Sequence, residues 1–243
     1  MLAITTHKFL FFSRKEFWFY DGEKINEGSY NVFSVAKKIT DTNVQLLQKY
    51  STCIIDLSKK EEGLFLDIQP RYRSYIRSAE KEKFICTHSI KVRGDELKHL
   101  CNSFNKFAEL KKIKPIRYSW LKSLNHTQNI CLTKMKLDQT DIITHIYIFD
   151  NDTIILSQTF HNIDFKDERI RSNANKLLHW KDILLFKTMG FKYYDFGGIN
   201  PEKLPGISKF KINFGGEVKE YYRYIKTPSF FFFLSNIYKS LLS

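Results

Sequence analysis

The stretch from residue 172 to residue 198 constrains this chain more than any other, because helix, stop and strand signals follow one another in it directly. Ala174, Leu177, Leu178, Trp180, Ile183, Leu184 and Phe186 recur at helical intervals and predict an amphipathic helix from about Ser172 to Met189. Gly190 stands where a C-cap glycine belongs. Lys-Tyr-Tyr-Asp-Phe-Gly-Gly follows at once and reads as a strand ending on a glycine pair. Strand, helix and strand in this order imply an α/β sheet whose functional crevice lies off the strand ends.

The rest of the sequence fits around that unit. Upstream, NICLTKMKL and the hairpin of ITHIYIF and TIILSQTF around Asp150-Asn151-Asp152 predict three adjacent antiparallel strands. A helix is expected to open at Gly94-Asp95, with Leu97, Leu100, Cys101, Phe104, Phe107, Ala108 and Leu110 on one side, and another around residues 115–124. Earlier still, KFLFFS, EFWFYDGEK with a turn near Asp21-Gly22, and TCIIDL are sheet-forming runs. Ser58 and Glu61 have capping-box spacing before a helical pattern over residues 63–83, which Pro70 interrupts. After it FICTHSIKV reads as a strand. Beyond Pro201 and Pro205 come a short helical GISKFKINF and a last strand, EVKEYYRYI.

Thirty-nine Lys and Arg against 26 Asp and Glu leave a charge of +13, so anions are the expected partners: nucleic acid, phosphorylated cofactors or acidic lipid headgroups. Cys53, Cys86, Cys101 and Cys131 have no metal-ligand spacing and fit reduced thiols in the cytoplasm. No two of the seven histidines stand at i, i+2 or i, i+4, and no metal is expected. The N-terminus lacks the pattern of a secretory signal, and no apolar run reaches the roughly 18 residues of a spanning helix.

The wording of the C-terminal half is more specific than its topology. Leu177-Leu178-His179-Trp180, Lys187, Gly190, Tyr194-Asp195-Phe196-Gly197-Gly198-Ile199, Gly206-Ile207, Phe210-Lys211 and Phe214-Gly215-Gly216-Glu217 resemble the C-terminal signature of the Fem-type peptidoglycan aminoacyltransferases, which belong with the GNAT acyltransferase superfamily. Ile54-Ile55-Asp56-Leu57-Ser58, followed by Arg71, Arg73, Ile76-Arg77 and Ala79-Glu80-Lys81, is similar to that family's passage from first lobe to second. Together the two matches touch most of the chain after about residue 50.

The resemblance implies a GNAT-like acyl-CoA N-acyltransferase fold, with a mostly antiparallel mixed sheet flanked by helices. Residues 1–93 would form a reduced N-terminal lobe, residues 94–226 a fuller C-terminal lobe, and residues 227–243 an amphipathic tail. It also implies transfer of an acyl or aminoacyl group to an amine of an amino sugar or peptide in a cell-envelope precursor, as in peptidoglycan or polysaccharide synthesis. The chain is short for two full lobes and a helical arm for transfer RNA, which puts acyl-CoA ahead of aminoacyl-tRNA as donor. A noncatalytic protein holding an anionic ligand is the competing class.

Acylation of an amine needs a fixed donor or cation where the carbonyl oxygen becomes negative. In the family the Lys of the Phe-Lys pair is implicated in that role, which the resemblance carries to Lys211, with Phe210 shaping the same wall. Asp195, ending a strand beside two glycines, is a candidate to take the amine proton; the bland alternative is that it accepts turn amides. Gly197, Gly198, Gly215, Gly216 and Tyr194 are expected to line the acceptor crevice. Arg71, Arg73 and Arg77 have the spacing to share a helical face, and Arg71 and Arg77 are candidate phosphate ligands. Before the central helix the glycine-rich turn that holds the pyrophosphate of coenzyme A is missing, and Arg169, Arg171, Ser172 and Asn173 are the candidate cofactor contacts in its place. His179 reads as a packing residue. Phe230, Leu234, Ile237, Tyr238, Leu241 and Leu242 make one helical face in the tail, flanked by Lys226 and Lys239. That face would suit an anionic membrane interface, so the expected location is the cytoplasm, peripheral at the inner face of the membrane if the tail binds lipid.

Overall fold

The computed structural model describes residues 1–9, 12–21, 30–37, 39 and 44–226. The chain divides into two compact units, Met1–Ser51 with the chain from Lys219 onward, and Thr52–Val218. The expected tail, residues 227–243, and the turn at Gly22 lie outside the described residues.

The first unit is built on aromatic strands. Its order is β1 (Leu2–Phe9), β2 (Phe12–Trp18), β3 (Tyr30–Ala36), β10 (Glu217–Lys226) and β4 (Val44–Asp56). β1 and β2 are antiparallel, β2 and β3 parallel, and β3 and β10 antiparallel. Phe33 stacks between Phe17 and Tyr224, at centroid distances of 5.2 and 4.4 Å, in a core cluster with Tyr20 and Ala36.

The second unit continues from β4 through α1 (Glu61–Asp67), α2 (Pro70–Ala79), β5 (Phe84–Ser89), α3 (Gly94–Lys111) and α4 (Tyr118–His126). It goes on through β6 (Ile130–Leu137), β7 (Thr140–Phe149), β8 (Thr153–His161), α5 (Glu168–Thr188), β9 (Tyr193–Ile199) and α6 (Pro205–Ile212). Its strand order is β4-β9-β8-β7-β6-β5, antiparallel from β5 to β8 and parallel between β8 and β9. The α5 crossover joins those two parallel strands, as the sequence predicts. Gly190 ends the α5 connection at φ +89°, a left-handed conformation natural to glycine. Pro70 falls at the first turn of α2, where its missing N–H costs nothing, and splits the expected helix over residues 63–83 in two.

Helices cover both faces of this sheet. On β7, Tyr147 packs against Phe186 of α5. Thr144 points the other way, and its partner Phe160 meets Phe104 and Phe107 of α3 at 5.6 and 6.2 Å. One core cluster takes in Leu64, Ile68, Ile76 and Ala79 of α1 and α2 together with Leu177, Trp180, Tyr194 and Phe214. The lobe boundary expected at Gly94 therefore falls inside the second unit, at the start of α3. The two helices ahead of it share their core with α5 rather than with the first strands. No helix among the described residues is long and apolar enough to cross a membrane.

Candidate active site

The parallel ladder of β8 and β9 runs from Thr153↔Tyr193 to Ile155↔Asp195. Just past its end, the β7–β8 register shifts so that Ile146 faces Gln158 and Tyr147 faces Leu156, which leaves Ser157 as the extra residue of a bulge. Gly197 sits beside that bulge at φ +72°, so close to β8 that a Cβ would lie 2.7 Å from the Leu156 carbonyl oxygen. Only glycine meets both demands.

Asp195 and Lys211 come together at this point. Asp195 is buried, and its Oδ1 accepts hydrogen bonds from the Thr52 hydroxyl on β4 and from the Gly197 N–H at 2.7 Å. Lys211, half-buried on α6, turns its ammonium inward to donate to the Gly198 carbonyl at 2.8 Å. Burial pushes the Asp195 carboxyl up to about 6 against the pull of Thr52, Gly197 and Lys211. Burial also lowers the Lys211 ammonium to about 8, against the opposing pull of Asp195 and Cys53. A half-buried cation is thus tied to a backbone carbonyl within electrostatic reach of a buried carboxylate, where the strands stop pairing. Phe210, beside it, packs on Tyr72 of α2 at 5.7 Å, on Phe214 at 5.4 Å and on His179 at 5.4 Å.

Several expected site residues have other duties. Tyr194 is fully buried in a polar relay and lines no crevice. Tyr147 donates to Asp182 Oδ2 at 2.6 Å, which uses its one proton. The Tyr194 hydroxyl therefore donates to Tyr147 at 2.9 Å and accepts from His179 Nδ1 at 2.8 Å. Burial holds the His179 imidazole well below its ordinary titration range, so it stays neutral. Thr133 and His145 also reach Asp182 Oδ2, at 2.9 and 2.8 Å, and the His145 and His179 rings stack at 4.2 Å. His145, His179 and Asp182 have ligand atoms within 4.8 Å of one another. Neighbouring side chains hold Asp182 Oδ2, both His145 nitrogens and His179 Nδ1 in hydrogen bonds, while Asp182 Oδ1 is buried without a partner.

Gly215 and Gly216 are close-approach positions toward the protein itself. At Gly215, φ +84°, a Cβ would lie 2.6 Å from Asp67 at the end of α1; at Gly216 it would lie 2.6 Å from Cys53 Sγ. Both lock the chain after α6 against α1 and β4. Gly198, by contrast, is exposed, with its carbonyl on Lys211.

Arg71 and Arg77 do not share a face, because six residues in a helix of 3.6 per turn are about 240° apart. Arg71 donates to the Tyr75 hydroxyl at 2.8 Å, while Arg77 lies over Phe65 and lines an open groove of about 450 Å³ with Pro70, Arg73, Ser74, Ser78 and Lys81.

The expected cofactor turn is also different. α5 begins at Glu168, earlier than the Ser172 start read from the sequence, so Arg169, Arg171, Ser172 and Asn173 lie within its first turns. Asp167 caps it, accepting from the Ile170 N–H at 2.9 Å, and Arg171 binds the Phe165 carbonyl and Glu168. The helix end that would attract a pyrophosphate already carries a carboxylate of its own.

Thr52 was not visible as a site residue in the sequence, and Lys187, quoted in the C-terminal signature, lies outside the site. Lys187 donates to the Leu57 carbonyl at 2.8 Å and ties α5 to the end of β4. Thr52 meets Asp195 across 143 positions of chain, and no local pattern marks such a pair.

No family model and no curated protein matches this sequence. Solved structures do match. FemX superposes with a TM-score of 0.58 at 14% identity, over 71% of this chain and 61% of FemX. A C-terminal domain attributed to a lysylphosphatidylglycerol synthetase from Agrobacterium fabrum gives 0.56 at 9% identity, over 88% and 73% of the two chains. L-PGS from Bacillus licheniformis gives 0.55 at 12%, over 81% and 68%. The chain spans about three-fifths of the length of FemX. At these identities the likeness is one of fold: the chain, a mixed α/β sheet flanked by helices, folds as FemX and these synthetase structures do.

Proposed function

We propose that this protein is an acyltransferase that moves an acyl or aminoacyl group onto an amine, with Lys211 stabilising the oxyanion. The observation that carries this reading is the half-buried Lys211 ammonium beside Asp195 at the end of the β8–β9 ladder. As the amine nitrogen attacks the donor's carbonyl, the carbonyl oxygen turns negative and meets a half-buried cation, less screened than one in open water. The tetrahedral species then breaks its bond to the donor's sulfur or oxygen, which leaves with the proton given up by the nitrogen. Asp195, sealed behind Thr52 and Gly197, is a positioning residue in this scheme: its charge keeps Lys211 protonated and in place, and it does not meet the amine.

The acceptor is proposed to be an amino sugar or peptide amine of a cell-envelope precursor, supported by the likeness to FemX and to the two synthetase structures. An acyl-CoA donor remains the simpler chemistry for a GNAT-type fold. The Asp167 cap occupies the helix end with a carboxylate, so the pyrophosphate of such a donor would need other partners.

The test is mass spectrometry of products formed from acetyl-CoA, or from charged tRNA, with a panel of amino sugars and precursor peptides. Lys211→Ala is expected to lower turnover by about 10² to 10³, the effect of losing one oxyanion donor. Full turnover in that variant, or ligand binding with no product under any pairing, would contradict the reading; the latter outcome is that of a noncatalytic binding protein.

A further inference from the structure

The α6 segment carries the site lysine and also an exposed apolar surface. Leu204 is 52% exposed, Ile207 51% and Ile212 40%, so three large apolar side chains face solvent within residues 204–212. Leu110, Ile113 and Tyr118 make another such trio, at the end of α3 and the start of α4, away from the site lysine. Ile207 precedes Lys211 by one helical turn and lies on the same side of α6. Lys203 and Lys209 are exposed beside these side chains, and among the described residues neither is in an ion pair. Glu202 is the one carboxylate between Asn200 and Ile212. Ser208 is buried and accepts from the Asn200 N–H at 2.9 Å, which fixes the loop that presents Leu204.

Apolar side chains at the tip of a fixed loop, flanked by unneutralised lysines, match an anionic lipid surface in both respects: the apolar groups enter the acyl boundary and the ammoniums meet the headgroups. We propose that residues 203–212 form a membrane-docking rim that seats the Lys211 hollow on an anionic bilayer, so that a lipid-linked acceptor reaches it from the membrane side. The choice of acceptor rests on the acyl-transfer reading; the docking itself does not.

Vesicle co-sedimentation tests it, using phosphatidylcholine vesicles with and without about 30% phosphatidylglycerol. The wild type is expected to bind the anionic vesicles at least about tenfold more tightly than the neutral ones. Leu204→Ser with Ile207→Ser is expected to weaken that binding by about tenfold or more. Lys203→Gln with Lys209→Gln should abolish most of the preference for anionic lipid, and Lys211→Ala should bind as the wild type does. Failure of the wild type to bind anionic vesicles would overturn the proposal. So would undiminished binding by the serine pair in a protein whose circular dichroism and melting temperature match the wild type. A wild-type dimer that the serine pair dissolves, with no vesicle binding, would also overturn it and assign the rim to a second copy. If the acyl-transfer reading alone fails, Lys211→Ala retains turnover while the vesicle results stand.

Discussion

Asp195 and Asp182 are both buried carboxylates on the elements that meet at the β8–β9 opening, and they serve opposite purposes. Asp182 offers Oδ2 to Thr133, His145 and Tyr147, and every partner is sealed in the core. Asp195 offers Oδ1 to Thr52 and Gly197, and the cation that answers its charge is a half-buried lysine on α6. Hydrogen bonds within the core make Asp182 a part of the architecture. The single cation at the edge makes Asp195 a device that controls another group. Burial alone therefore does not mark a site; burial coupled to a group that still faces outward does.

The largest effect that would sharpen this contrast is on stability. Asp182→Ala strands the Thr133, Tyr147 and His145 donors in the core and is expected to cost about 3–5 kcal/mol, read by urea or thermal denaturation. Loss of less than about 1 kcal/mol would put Asp182 outside the load of the core. Asp195→Asn should behave differently: turnover falls while the melting temperature changes little, because Asn keeps an oxygen for Thr52 and Gly197. Next comes pH. In the proposed scheme Asp195 supports Lys211 only when ionised, above about 6, and Lys211 stabilises an oxyanion only when protonated, below about 8. Turnover should rise through the first value and fall through the second, and Asp195→Asn should remove the acidic limb. Smallest is Tyr194→Phe, which removes one link of the relay and leaves His179 Nδ1 without its acceptor. A loss of about 1–3 kcal/mol in stability, with turnover kept, is expected. A large loss of turnover at unchanged stability would mean that the relay serves the chemistry after all.

Features written in neighbouring residues were legible in the sequence. The apolar stripe of α5, the Gly190 stop, the β7–β8 hairpin and the Gly94-Asp95 start of α3 all appear where they were read. The Phe210-Lys211 pair was singled out because it sits in a recognisable string of words. Glycines were harder. Gly197 and Gly215 both need a positive φ, but only the fold shows that Gly215 and Gly216 approach the protein's own α1 and β4. The start of α5 was misplaced because NIDFKDERIRSNAN holds several residues able to cap, and the chain uses Asp167. Tyr194, one residue from Asp195, was expected in the crevice, yet strand alternation sends the two side chains to opposite faces. The first unit joins the two ends of the chain, so no boundary along the sequence could have outlined it. Thr52 and His145 answer to residues far away in sequence, and their roles exist only in three dimensions.

The central claim is that Lys211 is a desolvated ammonium whose charge Asp195 maintains. Competitive amine labelling across pH, with the Lys211 peptide followed by mass spectrometry, reads that group directly. The account predicts half-reaction near pH 8 in the wild type and a still lower midpoint in Asp195→Asn, since the carboxylate is what raises it. A midpoint near the ordinary lysine value of 10.5, indifferent to residue 195, would contradict it.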